Sequence, residues 1–185
     1  MKKREFNFEI MTQIKERWSP RAFSSEKIEE EDINAILEAA RYAPSCFNEQ
    51  PWRFIVAKEE VELAKMLDIL TPQNQIWAKN APVLLLILSK KTFELDGREN
   101  YWNMFDTGTA WGYLSLEAQR RGLITHAMGG FSKAKASEAY NISEQYTIIA
   151  VVAVGKYGNF NELPDALKER EVPETRKALD EIIIK

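Results

Sequence analysis

Two apolar runs organise the chain. Ala81 to Leu88 and Ile148 to Val154 are blocks of apolar residues without a charge. Each is too short to cross a bilayer and reads as a strand buried on both faces. They predict strands over Pro82 to Ser89 and Tyr146 to Gly155. Elsewhere the period lengthens. Over Glu29 to Tyr42, residues Ile33, Ile36, Leu37 and Ala40 recur at helical spacing, and Glu29, Glu30, Glu31 and Asp32 suit a helix N-terminus. Pro44 ends that helix. Phe6 to Glu16 reads as an amphipathic helix with Phe6, Ile10 and Ile14 on one face. Tyr101 to Arg121 reads as a long helix packed closely through Gly108, Ala110, Gly112 and Ala118 and stopped by Gly122. Shorter elements fill the gaps: a strand over Trp52 to Ala57, helices over Glu59 to Leu70 and Gln73 to Asn80, a strand over Leu123 to Ala127, and a helix over Ser132 to Tyr140 with Ser132 as N-cap. Asn159 to Glu174 reads as a solvated connection. Ile182-Ile183-Ile184 is an apolar end with strand propensity.

Strands and helices alternate here, but not as regular parallel units, and no glycine-rich dinucleotide fingerprint follows any strand. The pattern predicts an α+β sandwich, with helices on both faces of a small mixed sheet.

Composition narrows the function classes. A chain of 185 residues, 45% hydrophobic, is long enough for one domain with a substantial core, here residues 1–185. The net charge of −3 argues against a generic nucleic-acid partner. The basic opening Met1-Lys2-Lys3-Arg4 is followed by Glu5, Asn7 and Glu9, which does not suit a secretory signal, and no run suits a membrane partner. The lone Cys46 forms no internal disulfide, so a cytoplasmic location is expected. One His and one Cys leave no His/Cys zinc site, and no metal is expected. His126 has apolar neighbours and reads as a packed imidazole. There is no convincing Ser/His/Asp set, and Cys46 reads as a small filler.

Four segments carry candidate chemistry. Arg17-Trp18-Ser19-Pro20-Arg21 offers two guanidinium groups and a hydroxyl, and in an extended segment Arg17, Ser19 and Arg21 share one side. That set suits a phosphate and its neighbouring hydroxyls, although a solvated basic loop has the same composition. Ala43-Pro44-Ser45-Cys46-Phe47-Asn48-Glu49-Gln50-Pro51-Trp52 is a rigid turn between two prolines, carrying the amides of Asn48 and Gln50. Such amides match the polar edge of a flat heterocycle. Met128-Gly129-Gly130 lies between a strand and a helix, where backbone N–H groups can approach a ligand closely. Arg176 stands in the polar stretch before the apolar end. Asp106 reads as a helix-start carboxylate. Tyr101, Trp102 and Phe105 read either as core or as the lining of a substrate pocket.

Together these segments resemble the nitroreductase family, the most specific part being Ala-Pro-Ser, two residues, Asn, one residue, Gln-Pro-Trp. The resemblance extends from Arg17 to Lys185. It implies a three-layer α/β/α sandwich with a mostly antiparallel sheet, and a homodimer holding FMN at the subunit interface with the C-terminal strand exchanged. It also implies site roles. Arg17, Ser19 and Arg21 grip the phosphate and ribityl chain, with the backbone of Trp18 facing the flavin, and Arg176 adds a phosphate contact. A second basic residue found in some members two positions before that arginine is Glu174 here. Pro44, Ser45, Asn48 and Gln50 meet the isoalloxazine from the partner subunit, and the Met128-Gly129-Gly130 loop supplies donors to flavin N5 and O4. The implied activity is ping-pong hydride transfer from NADH or NADPH, through the flavin, to a small electron acceptor such as a nitroaromatic or a quinone. No catalytic side chain is then required, because the chemistry belongs to the flavin. The alternatives are a flavin-binding or flavin-storage module, and an enzyme of the same fold with a different reductive chemistry.

Overall fold

The structure is a computed structural model that describes residues 4–184, so Met1, Lys2 and Lys3 of the basic opening and the final Lys185 lie outside the described residues. Four strands, β1 (Trp52–Ala57), β2 (Val83–Lys90), β3 (Ile124–Met128) and β4 (Tyr146–Gly155), form one sheet in the order β1-β2-β4-β3. All three ladders are antiparallel. The helices are α1 (Thr12–Glu16), α2 (Glu30–Arg41), α3 (Glu60–Asp68), α4 (Pro72–Ala78), α5 (Asn103–Arg120), α6 (Lys133–Tyr140), α7 (Asp165–Lys168) and α8 (Leu179–Ile182).

The two apolar runs are the central strands, and both of their faces are covered. Leu84, Leu86 and Leu88 of β2, with Val151 and Ala153 of β4, enter one core. Val83, Leu85 and Ile87 of β2, with Val152 and Val154 of β4, enter the other. That alternation follows from the two-residue period of a strand, and burial on both faces is why the sequence shows no polar interruption. Met66 of α3, Trp77 and Ala78 of α4 and Ala136 of α6 close the first core. Ile33, Ile36 and Ala40 of α2, with Ala110, Leu114 and Ala118 of α5, close the second. The result is the expected three-layer α/β/α sandwich.

Local chemistry sets the helix ends. The Ser132 hydroxyl caps α6 by accepting from Lys135 N–H at 3.2 Å. Pro72 opens α4, where its missing N–H costs nothing. The Glu62 carboxylate accepts from the N–H groups of Lys58 and Glu59 at the start of α3. Arg121 ties the end of α5 to α2 through Asp32 at 2.7 Å.

Three sequence expectations need correction. The helix predicted over Phe6 to Glu16 contracts to Thr12–Glu16, and Phe6, Phe8, Ile10 and Ile14 stay exposed. An isolated helix of that length is unstable unless its apolar face is buried, and none of the residues of α1 is buried. The connection from Asn159 to Glu174 is not simply solvated. It contains α7 and buries Leu163 and Glu171. The apolar end does not form a strand in this chain: Leu179–Ile182 is one helical turn, Ile183 is extended, and Ile182, Ile183 and Ile184 are exposed. A strand needs an edge to pair with, and among the described residues the tail pairs with neither edge strand, β1 nor β3.

Candidate functional site

Arg17, Trp18, Ser19, Arg21 and Arg176 line one cavity of about 290 Å³. Arg17 Nη1 donates to Ser19 Oγ at 3.4 Å. The segment is anchored from below by Glu171, whose Oε1 accepts from the N–H groups of Arg21 and Ala22 at 2.7 and 2.8 Å. From the strand side, His126 Nδ1 meets Pro20 O at 2.9 Å, and its ring packs on Trp77 at 4.6 Å. Burial is the main cause that pulls the His126 pKa down to about 4, with Arg21 and Arg17 acting in the same direction. The imidazole is therefore neutral and donates its Nδ1 proton to Pro20. The Trp18 ring packs against Tyr157, 6.1 Å between centroids.

The electrostatics of this cavity set it apart. The chain has ten arginines. Arg41, Arg53, Arg98, Arg120 and Arg121 each have a carboxylate within ion-pair distance. The other five, Arg4, Arg17, Arg21, Arg170 and Arg176, all line the cavity, and none has such a partner among the described residues. Burial, then Arg176, then Arg4 lower the Arg17 pKa, and burial followed by Arg170 lowers that of Arg21. Guanidinium groups held together without a counter-charge make a site for an anion, and their planar forks suit a phosphate. Glu174 lines the cavity as well, with its backbone carbonyl engaged by Arg4 and Arg176. Sequence reading passed over Arg4 and Arg170. Arg4 belongs to an unremarkable basic opening, and Arg170 lies in a mixed-charge stretch with no pattern. It found His126 as a packed imidazole but not its hold on Pro20.

β3 leads from His126 to the glycine loop. Met128 is buried in the core and does not present its side chain to the cavity. Gly130 O accepts from Thr71 N–H at 2.9 Å and Asn74 Nδ2 at 3.0 Å, fixing the loop. A Cβ on Gly130 would lie 2.6 Å from Asn74 Nδ2, so a side chain there would push Asn74 from its hydrogen bond to the loop. The N–H groups of Gly129 and Gly130 have no acceptor among the described residues.

The Pro44 to Gln50 turn is elsewhere. Phe47, Asn48 and Gln50 adopt positive φ of 52°, 57° and 51°. For Phe and Gln this is a strained conformation that surrounding contacts must hold. Ser45 Oγ accepts from Gln50 N–H at 2.9 Å, Gln50 Nε2 donates to Asn48 O at 3.0 Å, and the buried Asp106 accepts from Cys46 N–H at 3.0 Å. Asp106 is thus a brace for the turn as well as a first-turn carboxylate. Phe47, Tyr101, Trp102 and Phe105 form an exposed aromatic rim, so the last three are not core. The turn rests on α5 at Asp106, whereas the open trough beside Arg17 touches α5 at Leu116. Ten residues separate the two, about 15 Å along a helix. The chain brings Arg17, Trp18, Ser19, Arg21 and Arg176 together and keeps Pro44, Ser45, Asn48 and Gln50 apart from them.

An oxidoreductase described as containing FMN has a crystal structure that superposes with a TM-score of 0.94 at 36% identity, covering 98% of this chain and 94% of that one. An Archaeoglobus fulgidus protein proposed to be an NADH dehydrogenase/NAD(P)H nitroreductase is 30% identical over 154 residues, 80% of this chain and 84% of its own length. A proposed nitroreductase from Exiguobacterium sibiricum, solved in complex with FMN, shares the fold at a TM-score of 0.76 and 22% identity, covering 98% of this chain and 99% of that one. Residues 14–156 match the Nitroreductase family profile, a span that holds all four strands, the Arg17 segment, the rigid turn and the glycine loop, so the chain belongs to the nitroreductase family.

Proposed function

We propose that the chain is a single FMN-binding domain that works as a homodimeric oxidoreductase, moving hydride from NADH or NADPH to a small electron acceptor such as a nitroaromatic or a quinone. The observation that carries this reading is the division of the arginines, with every unpaired one at a single cavity of about 290 Å³. Arg17, Arg21 and Arg176 supply charge for the FMN phosphate, and Ser19 offers its hydroxyl to the phosphate or ribityl chain. Trp18 lines the same cavity. His126 and Glu171 hold the Arg17 to Arg21 segment in place. Gly129 and Gly130 present free N–H groups where the flavin ring would gather negative charge on reduction, and such fixed donors stabilise that charge. FMN held by these residues would supply the hydride-transfer chemistry between the nicotinamide and the acceptor. No side chain of the protein has to move a proton for this.

Pro44, Ser45, Asn48 and Gln50 complete the reading only from a second copy, since their turn stands far along α5 from the arginine cavity. The exposed apolar residues of both ends of the chain, Phe6, Phe8, Leu179 and Ile182 among them, then find their cover in that partner. Removing residues 181–185 weakens dimerisation and flavin retention together. A truncated protein that stays dimeric and yellow refutes the exchange of the tail.

The test of the whole reading is an absorbance spectrum of purified protein given FMN, then NADPH or NADH without oxygen. The expected result is a flavin spectrum that bleaches and returns on adding a quinone or nitroaromatic. A bound flavin that neither nicotinamide bleaches overturns the redox reading, and failure to take up FMN overturns the site.

A further inference from the structure

Arg4 stands apart from the other four unpaired arginines because both of its neighbouring segments are chain ends. Its Nη1 donates to Lys15 O at 3.1 Å and to Arg17 O at 2.9 Å, and its Nε donates to Glu174 O at 3.2 Å. One guanidinium therefore links the N-terminal arm, the exit of α1 and the C-terminal tail at the rim of the cavity. The three carbonyls fix the fork without neutralising it. The remaining amino group, Nη2, has no protein acceptor among the described residues, and Arg4 lines the cavity with Arg17, Arg21, Arg170 and Arg176. Burial and then Arg176 lower the Arg4 pKa, as expected for a cation placed among cations. Holding such a group in that position is unfavourable until an anion arrives. A phosphate monoester brings close to two negative charges and three acceptor oxygens.

We propose that Arg4 is a direct ligand of the phosphate end of the bound cofactor, and that through it the N-terminal arm and the C-terminal tail close over the cavity when that phosphate is present. This rests on the FMN reading above. Its consequence is selective. FMN, and inorganic phosphate at higher concentration, order residues 5–11. Riboflavin, which has the same ring system and no phosphate, does not.

The test uses the full chain stripped of flavin, titrated with FMN and separately with riboflavin by quenching of flavin fluorescence. Arg4→Ala is expected to raise the Kd for FMN tenfold or more while leaving that for riboflavin within twofold. Arg4→Gln, which keeps a donor for the carbonyls and loses the charge, must show the same selective loss. Hydrogen exchange over residues 5–11 should slow when FMN or phosphate is added to the unaltered protein, and should not respond in Arg4→Ala. An unchanged Kd for FMN in both variants overturns the proposal. So does an equal loss for FMN and riboflavin, which would make Arg4 a support of the fold alone. If the unaltered protein binds no FMN, the FMN reading itself falls and takes this one with it. If it binds FMN and the variants bind it equally well, Arg4 alone is misassigned.

Discussion

The arginine cavity and the Pro44 to Gln50 turn are built on opposite principles. The cavity is assembled inside one chain from segments distant in sequence: residues 4, 17–21, 126, 170 and 176 meet there. Its tension is electrostatic, with five guanidinium groups and no ion-pair partner among the described residues. The turn is local. Seven residues fold back on themselves, braced by Ser45 and Asp106, and its tension lies in the backbone at Phe47, Asn48 and Gln50. One half has charge waiting for a ligand; the other has a fixed shape waiting for a surface. Their separation along α5 explains why each looks unfinished within a single chain.

The largest expected effect comes from breaking the cavity. Arg17→Ala combined with Arg176→Ala removes two charged hydrogen-bonding groups, each worth about 1.5–3 kcal/mol. FMN affinity should then fall by roughly 10²- to 10⁴-fold. Riboflavin affinity should barely change. Arg120→Ala, which removes an arginine already paired with Glu117 and not among the cavity's lining residues, should leave both affinities alone. A double variant that binds FMN like the unaltered protein would remove the cavity from the site.

A second experiment asks how rigidly the cavity floor is held. His126 is neutral in the folded chain, with a pKa near 4, against an unperturbed value of 6.5. Between those values the unfolded chain binds more protons than the folded one. Stability therefore rises with pH across the window and is lost as pH falls through it, by on the order of 3 kcal/mol once below 4. Most carboxylates titrate below about 4.5, so the interval from 6.5 to 5 reports chiefly on His126. Urea unfolding of the flavin-free protein at fixed concentration should show a falling midpoint over that interval. His126→Gln should flatten it. An unchanged slope in the variant would mean that the imidazole does not govern the hold on Pro20.

The two halves were also unequally legible in the sequence. The turn announced itself because its chemistry is contiguous: two prolines, a serine and two amides within nine residues. The central strands were legible for a similar reason, since burial on both faces leaves an apolar run with nothing to interrupt it, and the β1 and β4 boundaries match the sequence reading residue for residue. Only part of the cavity was visible. Arg17, Ser19 and Arg21 share a short segment, but Arg4, Arg170 and His126 arrive by tertiary folding, and no local pattern marks them. Glu171 was lost in a stretch that reads as solvated, because a buried carboxylate bound to two backbone N–H groups has no sequence signature. The ends of the chain misled in the other direction. Their apolar spacing at Phe6, Ile10 and Ile14 and at Ile182 to Ile184 predicts regular structure, which needs a covering surface that one chain does not provide.

The smallest effect, and the sharpest on the comparison, comes from the brace beneath the turn. Asp106 is 4% exposed, and its carboxylate accepts from Cys46 N–H at 3.0 Å. Asp106→Ala leaves that N–H without a partner, a cost of about 1–3 kcal/mol. Asp106→Asn keeps an oxygen in place and should recover most of it. If the turn meets the flavin ring as proposed, Asp106→Ala should weaken riboflavin and FMN binding by similar factors, the opposite of the phosphate-selective loss expected from the arginine variants. It should also leave unchanged the rise in melting temperature expected on adding inorganic phosphate. Were the phosphate effect to vanish as well, the turn and the cavity would be coupled through α5 inside one chain, and the division into two independently built halves would fail.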